Sequence, residues 1–246
     1  MYAAGFTDIG QVRNQNQDAV FVSTAPVGPL PNLFVVADGM GGHKAGDIAS
    51  SRAVPLFCDY FVQRADMAVP DSFLDMMVDA AQHVNGILYE LAQGDPALQG
   101  MGTTFTACVI VPGRADIVHV GDSRAYGLAP GHIAQLTLDH TYAEEMVRAG
   151  EMTPEKALTH EKRHALTRVL AYESRVQMDA YPIGLEDPKF SALLLCTDGL
   201  TNMLSNSDIL DIVSREGYVE YRARTLIDEA NRRGGHDNIS AVLIHL

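Results

Sequence analysis

The stretch VVADGMGGHKAG, Val35 to Gly46, sets the terms for the whole chain. An apolar run ends in Asp38, and four of the next eight residues are glycines, with His43 among them. The run LFVVAD is continuously apolar, which predicts a strand buried on both faces. A glycine directly after the carboxylate lets the backbone turn sharply and brings its carbonyl close to a ligand. The pattern therefore places an acid at a strand end and clears side chains from around it.

Elements predicted on either side give the fold class. AAGFTD and AVFVST read as short strands separated by the polar IGQVRNQNQD. Two helices are predicted after the glycine loop. One runs from about Ala45 to Arg64 with a kink at Pro55. The other runs from about Asp71, as N-cap, to Gln93, with apolar residues at helical spacing. The period then changes to two. TTFTACVIV, ADIVHVG, RAYGLA and HIAQLT predict an antiparallel meander. From His140 to about Tyr181 the pattern is polar and helical, in TYAEEMVRAG, TPEKALTH and HALTRVLA. Strands return in VQMDAYPI and SALLLCTD, helices near Asp208–Arg215 and Glu220–Arg232, and a last strand in NISAVLIHL. Without a regular βαβ alternation, this predicts an α+β protein of antiparallel sheets with helices packed outside.

Composition limits the partners. The 246 residues suffice for one large domain with a substantial core. The formal net charge of -13 disfavours nucleic acid and anionic membrane, both of which need basic patches, and suits a protein that binds cations. Cys58, Cys108 and Cys196 are odd in number and far apart, so they fit neither a disulfide framework nor a zinc site. No stretch has the ~20 apolar residues of a membrane span, and the N-terminus lacks the basic and apolar regions of a signal peptide. A cytoplasmic protein is expected.

Asp38, Asp122, Asp198 and Asp237 each stand at the edge of an apolar strand, three of them beside a glycine. One strand-end Asp-Gly is an ordinary turn. Four in one chain predict carboxylates that crowd a single pocket, where like charges raise one another's pKa unless cations neutralise them. An all-oxygen donor set suits Mg²⁺ or Mn²⁺.

At this point the chain resembles a known family, the metal-dependent protein serine/threonine phosphatases of the PPM or PP2C type, in their compact bacterial form. TDIGQVRNQNQDA, VVADGMGGHKAGDIAS, MGTTFTACVI, HVGDSRAY, LTLDHT, LTRVLA, LLLCTDGLTNML and GGHDNISAVLI match the family's motifs in order. The resemblance implies a single domain over 1–246, an α-β-β-α sandwich of two antiparallel sheets, with a flap subdomain at about 141–183 that selects substrates. It implies two tightly bound Mn²⁺ or Mg²⁺ ions, with Asp38 bridging them, the carbonyl of Gly39 on one, and Asp198 and Asp237 on the other. Asp122 would help hold a weaker third ion, and Asp18 would partner metal-bound water. Arg13 would anchor the phosphate, and His43 would protonate the leaving serine or threonine oxygen. The nucleophile implied is a hydroxide bridging the two metals. His119, alternating with core residues, reads as structural.

Several positions depart from the family pattern. Gln17 replaces a common glutamate, Asn202 replaces an aspartate near the third metal, and Glu161 and His164 replace a proline and an asparagine. The implied partners are phosphorylated proteins, substrates of a serine/threonine kinase or the kinase itself, acted on by a monomer. A catalytically inactive phosphoprotein-binding module of the same fold is the alternative, opposed by the intact metal set. A two-metal nuclease is opposed by the acidic balance.

Overall fold

The structure is a computed structural model that describes residues 1–41, 45–65, 72–186 and 189–246. The strands are β1 (Tyr2–Asp8), β2 (Asp18–Ser23), β3 (Leu33–Met40), β4 (Gly102–Thr103), β5 (Phe105–Val111), β6 (Arg114–Val120), β7 (Arg124–Ala129), β8 (His132–Gln135), β9 (Asp179–Gly184), β10 (Ala192–Cys196) and β11 (Ile239–His245). The helices are α1 (Ala45–Val62), α2 (Phe73–Gly94), α3 (Tyr142–Arg148), α4 (Pro154–Ala157), α5 (Asp198–Thr201), α6 (Asn206–Val213) and α7 (Val219–Arg232). One sheet has the order β1-β11-β10-β7-β8, the other β2-β3-β5-β6-β9 with β4 paired to β3. The assigned strand pairings within both are antiparallel.

Side-chain alternation shows how the layers stack. In β3, Val35 and Ala37 pack with Phe57, Phe61, Met77 and Leu88 of α1 and α2, whereas Phe34 and Val36 pack with Leu193, Leu195, Val242 and Ile244 of the other sheet. Successive residues of a strand face opposite ways, so a strand with both faces covered reads as an unbroken apolar run. On the far side, Leu194 and Leu243 pack with Ile209, Leu226 and Ile227 of α6 and α7. The result is the four-layer α-β-β-α sandwich.

Several expectations are corrected. The four middle strands are not one meander: β5–β6 belongs to one sheet and β7–β8 to the other. The chain crosses between sheets at Gly121–Ser123, where Gly121 has φ +108° and a Cβ would strike Thr104. HALTRVLA is not a helix. Its Leu166 and Leu170 form isolated bridges to Thr141 and Thr103. Backbone pairing there, with β-branched Thr167 and Val169, outweighs the apolar spacing. The second long helix is capped by Ser72, whose side chain accepts from the Asp75 amide; Asp71 lies outside the described residues. The first runs through Pro55 to Val62. The range of the expected flap contains β9, a strand of the second sheet, so the excursion beyond the sheets ends near residue 178.

That excursion is tied to α2 by buried Asn85. Its Oδ1 accepts from the Ala171 amide at 2.9 Å, and its Nδ2 donates to the carbonyls of Glu173 at 3.0 Å and Ser174 at 3.3 Å. Ala171 has φ +73°, a left-handed conformation that costs an alanine about 1–2 kcal/mol. Asn85→Ala strands one amide and two carbonyls, and is expected to lower stability by about 2–3 kcal/mol in urea denaturation. A loss under about 0.5 kcal/mol would show that other contacts hold the turn.

Candidate active site

The antiparallel pairing brings the strand-end acids to one edge of the sandwich. Asp18 begins β2 and Asp38 stands near the end of β3, and the register sets them directly opposite each other. Asp198 follows β10, Asp237 precedes β11, and Asp122 lies in the crossing between β6 and β7. Like charges opposed across a sheet are destabilising. The electrostatics agree. Burial first, and then Asp18 and Asp198, raise the Asp38 pKa well above the usual carboxylate range. Burial and Asp198 do the same to Asp122, and burial and Asp237 raise Asp198. Burial pushes Asp18 up to about 7.

Each acid is held by a specific device. Asp18 Oδ2 accepts from Thr197 Oγ1 at 2.8 Å and from Ser240 Oγ at 2.6 Å, both side chains fully buried. Its Oδ1 is buried without a partner among the described residues. The Asp38 amide donates to Thr104 Oγ1 at 2.9 Å, and that hydroxyl shares a 2.7 Å hydrogen bond with Ser123 beside Asp122. Asp198 Oδ2 accepts from Asn202 Nδ2 at 3.0 Å, while its Oδ1 is a second orphaned oxygen. Asp237 pairs with Arg13 at 2.7 Å. Gly39 and Gly46 explain part of the glycine pattern: a Cβ on Gly39 would collide with the carbonyl of Gly46, so the start of α1 can close over the strand end only with glycines there.

The predicted site residues Asp18, Asp38, Gly39, Asp122, Asp198, Asp237 and Arg13 thus lie together; His43 lies outside the described residues. Arg13 engages a site carboxylate with one arm of its fork. His119 is structural, as expected. Its Nδ1 meets Thr106 Oγ1 at 2.9 Å, its Nε2 meets the Leu138 carbonyl at 3.0 Å, and burial lowers its pKa to about 4. The sequence reading missed Thr104, Thr197, Ser240 and Asn238. Asn238 Oδ1 accepts from the Gln17 amide at 2.8 Å, and its Nδ2 donates to the carbonyls of Ile9 and Gln15, both at 2.9 Å. It staples the Arg13 loop to the start of β11. Thr197 and Asn238 stand next to an aspartate in the sequence, whereas Thr104 and Ser240 carry no such signal.

The chemistry of the donor set fits divalent cations. Among the described residues, two buried carboxylate oxygens of the site lack any hydrogen-bond partner, and four acids carry raised pKa values that a cation would reverse. Among the described residues, no three acidic, histidine or cysteine side chains stand as a ready-made metal shell. Arg13 and Asn202 draw Asp237 and Asp198 to themselves, and mutual repulsion opposes closure of the rest.

A raised carboxylate pKa sets the sign of a pH effect. In the unfolded chain Asp18 loses its proton near 3.8; in the fold it keeps it to about 7. Below pH ~4 both states are protonated, and between ~4 and ~7 folding must retain a proton that the unfolded chain has released, so stability falls as pH rises. In chelator, Asp18→Asn should match the wild type near pH 4 and melt progressively higher than it up to pH ~7. The comparison isolates Asp18 from His119, whose lowered pKa acts in the opposite sense. A difference in melting temperature that is flat with pH would show that burial does not hold a proton on Asp18 in the fold.

Comparison with known proteins gives the family. Residues 11–242 match the protein phosphatase 2C family. The serine/threonine phosphatase stp of Listeria welshimeri is 35% identical over 246 residues, covering 99% of this chain and 95% of that protein. The protein phosphatase PhpP of Streptococcus pneumoniae is 36% identical over 253 residues, covering 98% and 95%. Among solved structures, the serine/threonine phosphatase Stp1 of Staphylococcus aureus superposes with a TM-score of 0.90 at 32% identity, covering 99% of this chain and 94% of that one. The Mycobacterium tuberculosis serine/threonine phosphatase PstP/Ppp gives 0.82 at 33%, covering 100% and 98%. With matched motifs, a shared four-layer fold and identity above 30% along nearly its whole length, this chain belongs to the protein phosphatase 2C family.

Proposed function

We propose that this chain is an active phosphatase that hydrolyses phosphoserine and phosphothreonine in proteins. The observation that carries the reading is the convergence of five aspartates at one edge of the sandwich, with two buried oxygens left open among the described residues. Asp38, the Gly39 carbonyl, Asp198 and Asp237 would hold two Mn²⁺ or Mg²⁺ ions, and Asp122 would hold a weaker third. When bound, such ions make water a competent nucleophile near neutral pH and offset charge on the phosphoryl oxygens.

The chain's own groups supply the rest. Asp18 is held by Thr197 and Ser240 through Oδ2, which leaves Oδ1 to accept a proton from, or orient, the attacking water. Arg13 has five N–H donors and uses one on Asp237, so its fork can still bind phosphate oxygens. His43 would donate the proton that the departing alkoxide needs. The inactive module has no support, because the carboxylate set is complete. No described helix is long and apolar enough to cross a membrane. We read the 246 residues as one domain with its flap, acting as a cytoplasmic monomer opposite a serine/threonine kinase.

Hydrolysis of a phosphothreonine peptide should require Mn²⁺ or Mg²⁺ and stop with a chelator. Asp38→Asn and Asp237→Asn should each cut turnover by several orders of magnitude, since both would remove a ligand of the nucleophile-forming ions. Full activity in metal-stripped protein would refute the reading.

His43 and Arg13 separate by substrate. An alkoxide needs a proton to leave and p-nitrophenolate does not, so His43→Ala should cost ~10²-fold or more on the phosphopeptide and little on p-nitrophenyl phosphate. Arg13→Ala should weaken both alike, mainly through KM. Equal losses on the two substrates for His43→Ala would leave that histidine without an acid role.

A further inference from the structure

A cleft of about 870 Å³ opens from the site and runs under α3 and α4. Asp122, Asp198 and Asn202 line it together with Val147, Ala157 and Leu158 of the excursion and Met203 after α5. Leu158 is 77% exposed, and no residue of α4 is buried. A lone exposed leucine is unremarkable. This one differs by its place, since it lines the same cavity as the acids that would carry the chemistry. A peptide whose phosphoresidue reaches Asp198 has these walls within reach of its flanking residues. The cleft carries charge of both signs, with Arg124, Arg163 and His164 beside Asp139, Glu144 and Asp198, so its apolar wall is the part that can tell one flanking side chain from another.

We propose that Leu158, with Val147, Ala157 and Met203, forms a subsite for a large apolar side chain close to the phosphoresidue of an extended phosphopeptide. The proposal rests on the phosphatase reading above and names the substrate class it favours. Neither the metal ligands nor the phosphate anchor make this selection, because both see only the phosphoryl group. An apolar wall favours a peptide with leucine, isoleucine or methionine there over one with serine or aspartate, through the water each displaces.

The test is a set of phosphothreonine peptides with one leucine moved through each position within about five residues on either side, the span of an extended segment at ~3.4 Å per residue. Each is paired with the same peptide carrying serine there, at saturating Mn²⁺. The wild type should prefer leucine at one position by about tenfold in kcat/KM, a typical discrimination for a hydrophobic pocket. Leu158→Ser should abolish that preference and leave p-nitrophenyl phosphate hydrolysis within about twofold. Leu158→Met should retain it, and Leu158→Lys should turn it toward aspartate at the same position. No apolar preference in the wild type, or one that survives Leu158→Ser, overturns the proposal. A wild-type protein that fails to hydrolyse p-nitrophenyl phosphate with Mn²⁺ overturns the phosphatase reading itself, and the subsite with it.

Discussion

Mutual repulsion among carboxylates is the constraint around which the molecule is arranged. Asp18 faces Asp38 across a strand pair, and Asp122 and Asp198 add their charge to the same space. Left to themselves, such groups would swing apart or take up protons. They are kept together because each is fixed to a strand end whose strand is anchored in packed layers. β3 is the clearest case: Phe34 and Val36 are locked between the sheets, and Val35 and Ala37 beneath the helices. A rigid core converts unfavourable local electrostatics into a site with affinity for cations.

Around the acids stands a shell of hydroxyls and amides whose work is orientation. Thr197 and Ser240 hold one oxygen of Asp18 and thereby determine where the other points. Thr104 reaches the Asp38 amide on one side and Ser123, next to Asp122, on the other. Asn238 joins the loop that carries Arg13 to the strand that follows Asp237. These bonds link both sheets and both halves of the chain at the one edge where the charge is concentrated. Small polar residues suit the task, because they satisfy buried backbone groups without adding charge.

How much of this could be read in advance depended on whether the signal was local. LFVVAD was legible because burial on two faces leaves a continuous apolar run, and the strand-end aspartates were legible because glycine marks the turns beside three of them. The opposition of Asp18 and Asp38 was not, since register is set by pairing across an intervening loop. The crossing at Gly121–Ser123 looks like any Gly-Asp turn, and only packing reveals that the next hairpin belongs to another sheet. LTRVLA carries helical spacing, but its backbone groups pair with Thr103 and Thr141, which are distant in sequence. Thr197 and Ser240 resemble any β-strand hydroxyls until the buried oxygen they serve is seen.

The pairing of β1 with β11, Tyr2 against His245, has a kinetic meaning. The first strand of the described chain finds its neighbour only in the last, and β10 likewise leans on β11. Contacts this remote in sequence are slow to form, since a long loop must close before they contribute anything. During synthesis, which runs from the N-terminus, β1 must wait without its partner until β11 has emerged. Asp237 arrives in the same final stretch as β11. A chain still lacking β11 lacks Asp237 as well, so the five aspartates come together only once β1 and β11 have met.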